Sequence, residues 1–134
     1  MADDDAKTTF DGATPVFLVS DIASTMRWYA TRLGFDVHGV PESPPHTFGF
    51  LRKDNVEIFL QQFDGYSKPD LYDQREGGVW SLYLQVQGVR KLFEKLSQMH
   101  DVTTLEPLCH QPYGQTEFVI RDPNGYALVF AQRD

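Results

Sequence analysis

The sequence predicts a single α+β domain assembled from two similar halves, and three observations carry that prediction. A strand-like stretch leading into an amphipathic helix, PVFLVSDIASTMRWYATRLGF, recurs as WSLYLQVQGVRKLFEKLSQM, and each copy runs on into apolar strands that end at VEIFLQQF and YALVFAQ. Val19 aligns with Val86 and Leu60 with Phe130, so the offset drifts from about 67 to about 70 residues, as small loop insertions would cause. A chain of 134 residues, 41% of them hydrophobic, buries one substantial core and is too short for two ordinary domains.

Taken in order, the opening MADDDAKTTFDG is acidic and polar, without the basic region and apolar run of a secretory signal. It is expected to form a flexible tail over residues 1–11, ahead of a domain spanning 12–134 with modules at about 13–62 and 80–132 and a linker over 63–79. In the first helix Ile22, Met26, Tyr29 and Leu33 share one face, with Asp21 placed to cap its start and Gly34 to stop it. Asp54 and Asn55 support a tight hairpin. In the strand that follows, Val56, Ile58 and Leu60 form an apolar row facing the helix, while Glu57, Phe59 and Gln61 point the other way. The linker is long, polar and aromatic, and Tyr66, Tyr72 and Trp80 favour a loop that closes over a groove or crosses to a partner, against a disordered tether.

The second copy repeats the pattern. Leu82, Leu84 and Val86 face inward and Ser81, Tyr83 and Gln85 outward, and the helix stripe is Val89, Leu92, Phe93, Leu96 and Met99. DPNG at 122–125 is a strong turn. The outward rows combine polar side chains with Phe59 and Tyr83, joined by Val16 and Leu18 of the first strand, which suits a groove wall better than a free surface.

Charge narrows the partners. The formal net charge is −7, of which Asp3, Asp4, Asp5 and Asp11 against Lys7 place −3 in the first twelve residues and leave −4 on the body. No Lys/Arg stripe offers itself to phosphates, so nucleic acid is not an expected partner. No window approaches the ~18 apolar residues of a membrane span. Cys109 is the only cysteine, which excludes an intrachain disulfide and a CxxC site, and a cytoplasmic location is expected. Nucleophilic catalysis finds no support: Cys109 has no base at readable spacing, and no GxSxG elbow or glycine-rich phosphate loop is present.

VSDI followed by WYATRLGF, with PYGQTEFVIRDPNGYALVF near the end, resembles the glyoxalase, bleomycin-resistance and extradiol-dioxygenase group, the vicinal oxygen chelate superfamily, over about residues 13–132. The resemblance implies two βαβββ modules whose curved mixed sheets form a cleft, commonly in a homodimer. In metal-using members four His, Gln or Glu ligands line that cleft, one from the first and one from the last strand of each module. Carried onto this sequence, the positions fall on Thr14, Phe59, Ser81 and Val129, and none is a good donor. A one-residue slip would promote Glu57 or Trp80 but would also turn the apolar rows outward.

The chain therefore looks most like the bleomycin-resistance type, whose members bind a drug in a groove shared by two subunits without chemistry. That resemblance implies a metal-free, cofactor-free small-molecule binding protein with no catalytic residues. The expected ligand is planar or cationic, contacted by Thr14, Glu57, Phe59, Gln61, Trp80, Ser81, Tyr83, Glu117 and Val129. Phe59, Trp80 or Tyr83 would stack on flat rings, and Glu57 and Glu117 would meet a cationic tail. Trp80 as a sheet-edge plug and Glu57 as a solvated charge are the plainer alternatives. A displaced metal site drawn from His38, His46, His100, His110, Glu106 and Glu117 is disfavoured against satisfied or exposed histidines. Two rivals stay open: a metal-dependent lyase, isomerase or dioxygenase with unusual ligands, and an interaction module with no small ligand.

Overall fold

The computed structural model describes residues 7–134, so residues 1–6 of the expected tail lie outside the described residues; Phe10, within the rest of that tail, is 97% exposed. Each half folds as a strand, a helix and three strands. In the first, β1 (Val16–Val19) leads into α1 (Ile22–Leu33), then β2 (Asp36–Val40), β3 (Phe48–Lys53) and β4 (Val56–Gln62). In the second, β5 (Leu82–Gln85) leads into α2 (Val89–Ser97), then β6 (Thr103–Gln111), β7 (Gln115–Arg121) and β8 (Ala127–Arg133). Each half is a four-stranded mixed sheet, ordered β1-β4-β3-β2 and β5-β8-β7-β6.

In both halves the first and last strands pair in parallel, since the helix supplies the crossover that parallel neighbours require. Val16 lies opposite Phe59 in one sheet and Tyr83 opposite Val129 in the other. The two-residue turn at Asp54 and Asn55 joins β3 to β4, with Asp54 at φ 51°, a left-handed conformation that aspartate tolerates better than most residues.

The helix ends follow the sequence, with one addition. The Asp21 carboxylate accepts from Ser24 N at 3.1 Å, and Gly34 closes α1 at φ 76°. Gln62 Oε1 also accepts from Ile22 N at 3.2 Å. The second helix starts at Gly88, which has no side chain to cap with, and Gln132 Oε1 takes the role by accepting from Gly88 N at 2.8 Å and Val89 N at 3.0 Å. Equivalent glutamines on the last strands thus satisfy N–H groups at the starts of both helices. Met99 of the second stripe lies beyond the end of α2 and still packs on the core.

The inward rows are buried as their period requires: Phe17, Val19, Ile58 and Leu60 in the first half, Leu84, Leu128 and Phe130 in the second. All belong to one continuous core with Ile22, Met26 and Tyr29 of α1 and Val89 and Leu96 of α2. Both sheets turn their helix-covered faces into that shared core, so their other faces are turned away from it.

The halves are joined at the DPNG turn. Tyr29 Oη, fully buried on α1, donates to Asp122 Oδ2 at 2.7 Å, while Asp122 Oδ1 accepts from Asn124 N at 2.8 Å and Tyr126 N at 2.9 Å. Asn124 Nδ2 reaches Thr25 Oγ1 at 3.0 Å, Tyr126 Oη donates to the Leu18 carbonyl at 2.7 Å, and the Tyr126 ring stacks on Phe17 at 4.0 Å. Burial first, and then the Asp122 charge and hydrogen bond, hold the Tyr29 phenol well above its ordinary range. Arg32 and Asp101 add an ion pair between the halves at 2.6 Å, partly exposed and so worth little. No helix among the described residues is long and apolar enough to cross a membrane.

Removing the Tyr29 hydroxyl leaves a buried carboxylate oxygen without that donor. Tyr29→Phe is expected to lower unfolding free energy by about 1–3 kcal/mol in urea titrations, against about 1 kcal/mol for Tyr126→Phe, whose partner is a neutral carbonyl. Equal losses in the two variants would show that Asp122 does not anchor the joint.

Candidate functional site

The nine expected site residues fall into two groups, one on the outward face of each sheet. On the first, Phe59 of β4 lies opposite Phe50 of β3, and Phe48 completes a cluster with ring centroids 5.1–5.3 Å apart. His38 leans on Phe50 at 6.0 Å. All three phenylalanines are half-buried, and Val16 beside them is 48% exposed. Glu57 sits on the same face with its charge already answered, since Arg52 Nη2 lies 2.9 Å from its Oε2. Gln61 is exposed and Thr14 half-buried at the edge of this sheet. The result is an apolar, aromatic wall with an ion pair at its margin.

The outward face of the second sheet is partly covered by the chain itself. The linker carries a short 3-10 turn, Tyr72–Gln74, and Tyr72 packs with Leu105 on Val119, Ala127 and Val129, leaving Val129 fully buried. A Cβ on Gly78 would run into the Tyr72 ring, so glycine is what lets the linker fold back this tightly. Asp70 ties the segment down through Arg121 at 2.9 Å. Within the chain, Tyr72 and Asp70 of the linker thus lie against the second sheet. Ser81 Oγ accepts from Ala127 N at 3.0 Å and so serves the strand edge, while Trp80, 44% exposed, leans on Tyr83 at 5.4 Å.

Beyond Val129 the same face becomes polar. Glu117 of β7, only 2% exposed, accepts from Tyr83 Oη at 2.6 Å on Oε2 and from Tyr113 Oη on Oε1. Gln85 and Gln115 pair in the next row at 2.9 Å. Burial, then the Glu117 hydrogen bond and charge, raise both phenols; Tyr113 is pushed up to about 12, and Tyr83 higher despite the opposing Arg133 charge. Sequence reasoning named Glu117 and Tyr83 as candidates and did not name Tyr113, which the structure brings to the same carboxylate. Tyr113 lies in the β6–β7 turn, where Gly114 at φ 84° lets the chain reverse, and turn residues carry no strand periodicity. The only available signal was a tyrosine four residues before a groove-facing glutamate.

The side chains at the positions that carry ligands in metal-using members of the superfamily do not suit a metal. Phe59 and Val129 have no lone pair, Ser81 is engaged with the backbone, and Thr14 alone is a neutral hydroxyl. Among the described residues no three His, Cys, Asp or Glu side chains converge. His46 Nδ1 is 2.7 Å from the Pro41 carbonyl, and His110 lies 3.3 Å from Asp134. Cys109 is exposed and points its thiol at the His110 carbonyl, 3.5 Å away.

Folded-state phenol values raised above the ordinary 10.0 mean that Tyr83 and Tyr113 contribute stability fully present below about pH 10 and lost as pH rises through their folded values. Site-resolved NMR titration of the tyrosine Cζ resonances is expected to find Tyr113 ionising near 12, and earlier in Glu117→Gln, with the burial contribution retained. Unchanged titration in that variant would remove Glu117 as a cause.

A model of the Glyoxalase/Bleomycin resistance protein/Dioxygenase superfamily matches residues 13–130. No curated protein matched. Among solved structures, the chain is similar to TioX from Micromonospora sp. ML1, at 15% identity and TM-score 0.69 over 92% of this chain and 97% of that one. It is also similar to the bleomycin-binding protein from bleomycin-producing Streptomyces verticillus, solved with copper(II)-bleomycin, at 18% identity and TM-score 0.67 over 95% and 99%. A glyoxalase-related enzyme from Clostridium phytofermentans matches at 14% identity and TM-score 0.73 over 96% and 98%. At these identities the structures speak for the fold alone; the family match over nearly the whole chain shows that it belongs to the Glyoxalase/Bleomycin resistance protein/Dioxygenase superfamily.

Proposed function

We propose that the protein is a cytoplasmic small-molecule binding protein that holds a planar or cationic ligand, without turnover, in a groove completed by a second copy of the chain. The observation that carries this reading is the half-exposed Phe48, Phe50 and Phe59 wall, in which Phe59 stands at one of the positions where the family resemblance would put a metal ligand. A wall of phenyl rings gives flat heteroaromatic groups a stacking surface worth about 0.5–1.5 kcal/mol per pair beyond area burial. Because each outward face turns from the shared core, neither encloses a ligand within one chain, and a second copy supplies the missing wall. The likeness to a bleomycin-binding protein in complex with copper(II)-bleomycin supports a drug-sized ligand.

Calorimetric titration with copper(II)-bleomycin, alongside native mass spectrometry, tests the reading. Expected are a dimer, saturable binding, unchanged ligand on recovery, and roughly tenfold weaker binding by Phe59→Ala, within the range that losing one buried aromatic anchor gives. A monomer that binds nothing would overturn it in favour of an interaction module. One tightly bound Fe, Ni, Zn or Mn per chain, or conversion of the ligand, would favour the metal-dependent lyase, isomerase or dioxygenase instead.

A further inference from the structure

We propose that Tyr83, Glu117 and Tyr113 form a recognition site for a cationic N–H group, such as an amidinium, guanidinium or primary ammonium, with Glu117 supplying the charge and the two phenol oxygens the contacts. The proposal rests on the reading that the outward face of the second sheet belongs to a ligand groove. Its starting point is an anomaly of charge. Glu117 is 2% exposed, and a buried carboxylate is ordinarily matched by a cation, because removing it from water unpaired is costly. Among the described residues no cation lies within ion-pair distance of it. The ion pairs among the described residues are Arg32 with Asp101, Arg52 with Glu57, His110 with Asp134 and Arg121 with Asp70. Arg133 is near enough for its charge to act on Tyr83 but makes no ion pair with Glu117. Two phenol hydroxyls alone satisfy the carboxylate, one on each oxygen.

That arrangement fixes what the site accepts. A phenol has one hydrogen, and each of these tyrosines gives it to Glu117, so each oxygen is left only to accept. Tyr83 and Tyr113 are 37% and 55% exposed, which leaves the rings reachable from the groove while the carboxylate behind them is shielded. Hydrogen bonds in series strengthen one another, so donation to an anion makes the phenol oxygens better acceptors. A group bringing both N–H donors and a positive charge meets the acceptors and neutralises the buried charge together. An anion or a pure acceptor meets repulsion. Trp80, 5.4 Å from Tyr83 and 44% exposed, adds a face on which a planar cation rests.

The test uses benzamidine, a planar amidinium, and benzamide, its neutral counterpart of similar shape. Both are titrated into the full chain and followed by 1H-15N NMR in about 0.3 M salt, which screens the long-range pull of the −7 net charge. Benzamidine is expected to shift the amides of Tyr83, Tyr113 and Glu117 and to bind at least tenfold tighter than benzamide. Glu117→Gln is expected to abolish that preference, and Tyr113→Phe, altered at an exposed turn, to reduce it severalfold should the glutamine variant fail to fold. Equal binding of the two compounds, or an undiminished preference in the variants, overturns the proposal. Copper(II)-bleomycin separates this outcome from failure of the groove itself. If it binds wild type and Glu117→Gln alike, the groove stands and the cation site does not; if it binds neither while benzamidine still prefers Glu117, the cation site stands alone.

Discussion

The hydrogen bond from Tyr29 to Asp122 joins a helix of the first half to the last turn of the second, and the placement of both sheets depends on it. Asp122 is buried at 2% exposure, and its two oxygens divide the work. One holds its own turn by accepting from the backbone at Asn124 and Tyr126, and the other accepts the Tyr29 hydroxyl from across the molecule. A buried carboxylate tolerates this position only while its donors are in place, so the geometry of turn and joint is fixed together. Phe17 stacked on Tyr126 and Asn124 bonded to Thr25 extend the same joint on either side.

Joining the halves through their helix-side surfaces has a direct consequence for chemistry. The apolar rows of both sheets are consumed in one core, and the outward faces are what the molecule has left to offer. These faces have diverged although the backbone register repeats. The first keeps an open wall of phenylalanines, whereas the second is roofed at Val129 by Tyr72 and turns polar at Glu117. A duplicated frame therefore presents an aromatic surface on one side and a shielded carboxylate with two phenol acceptors on the other.

Much of the frame was legible in residues of short range. The period of two in VEIFLQQ and WSLYLQV named the buried and outward rows, and Asp21 and Gly34 marked the ends of α1, because a strand's faces and a helix's caps are decided within a few residues. Gln62 and Gln132 were not legible as caps. Each accepts with its side-chain oxygen from the backbone of a helix start about forty residues earlier in the chain, and nothing local in a glutamine at a strand end announces such a partner. Arg52 beside Glu57, by contrast, was within reach of local reading, because a two-residue turn at Asp54 and Asn55 sets the two directly opposite each other.

By itself, then, the sequence determined the two-fold repeat and the alternation of faces, since both depend on residue identity and local period, whereas Thr14, Phe59, Ser81 and Val129 were singled out only by the family resemblance. Only the tertiary structure decided that the halves meet through Tyr29 and Asp122, that the linker roofs Val129, and that Tyr113 curls back to share Glu117 with Tyr83. Those three arrangements bring together groups separated by a turn, a linker or most of the chain. They depend on how the folded elements pack, which period and local propensity do not encode.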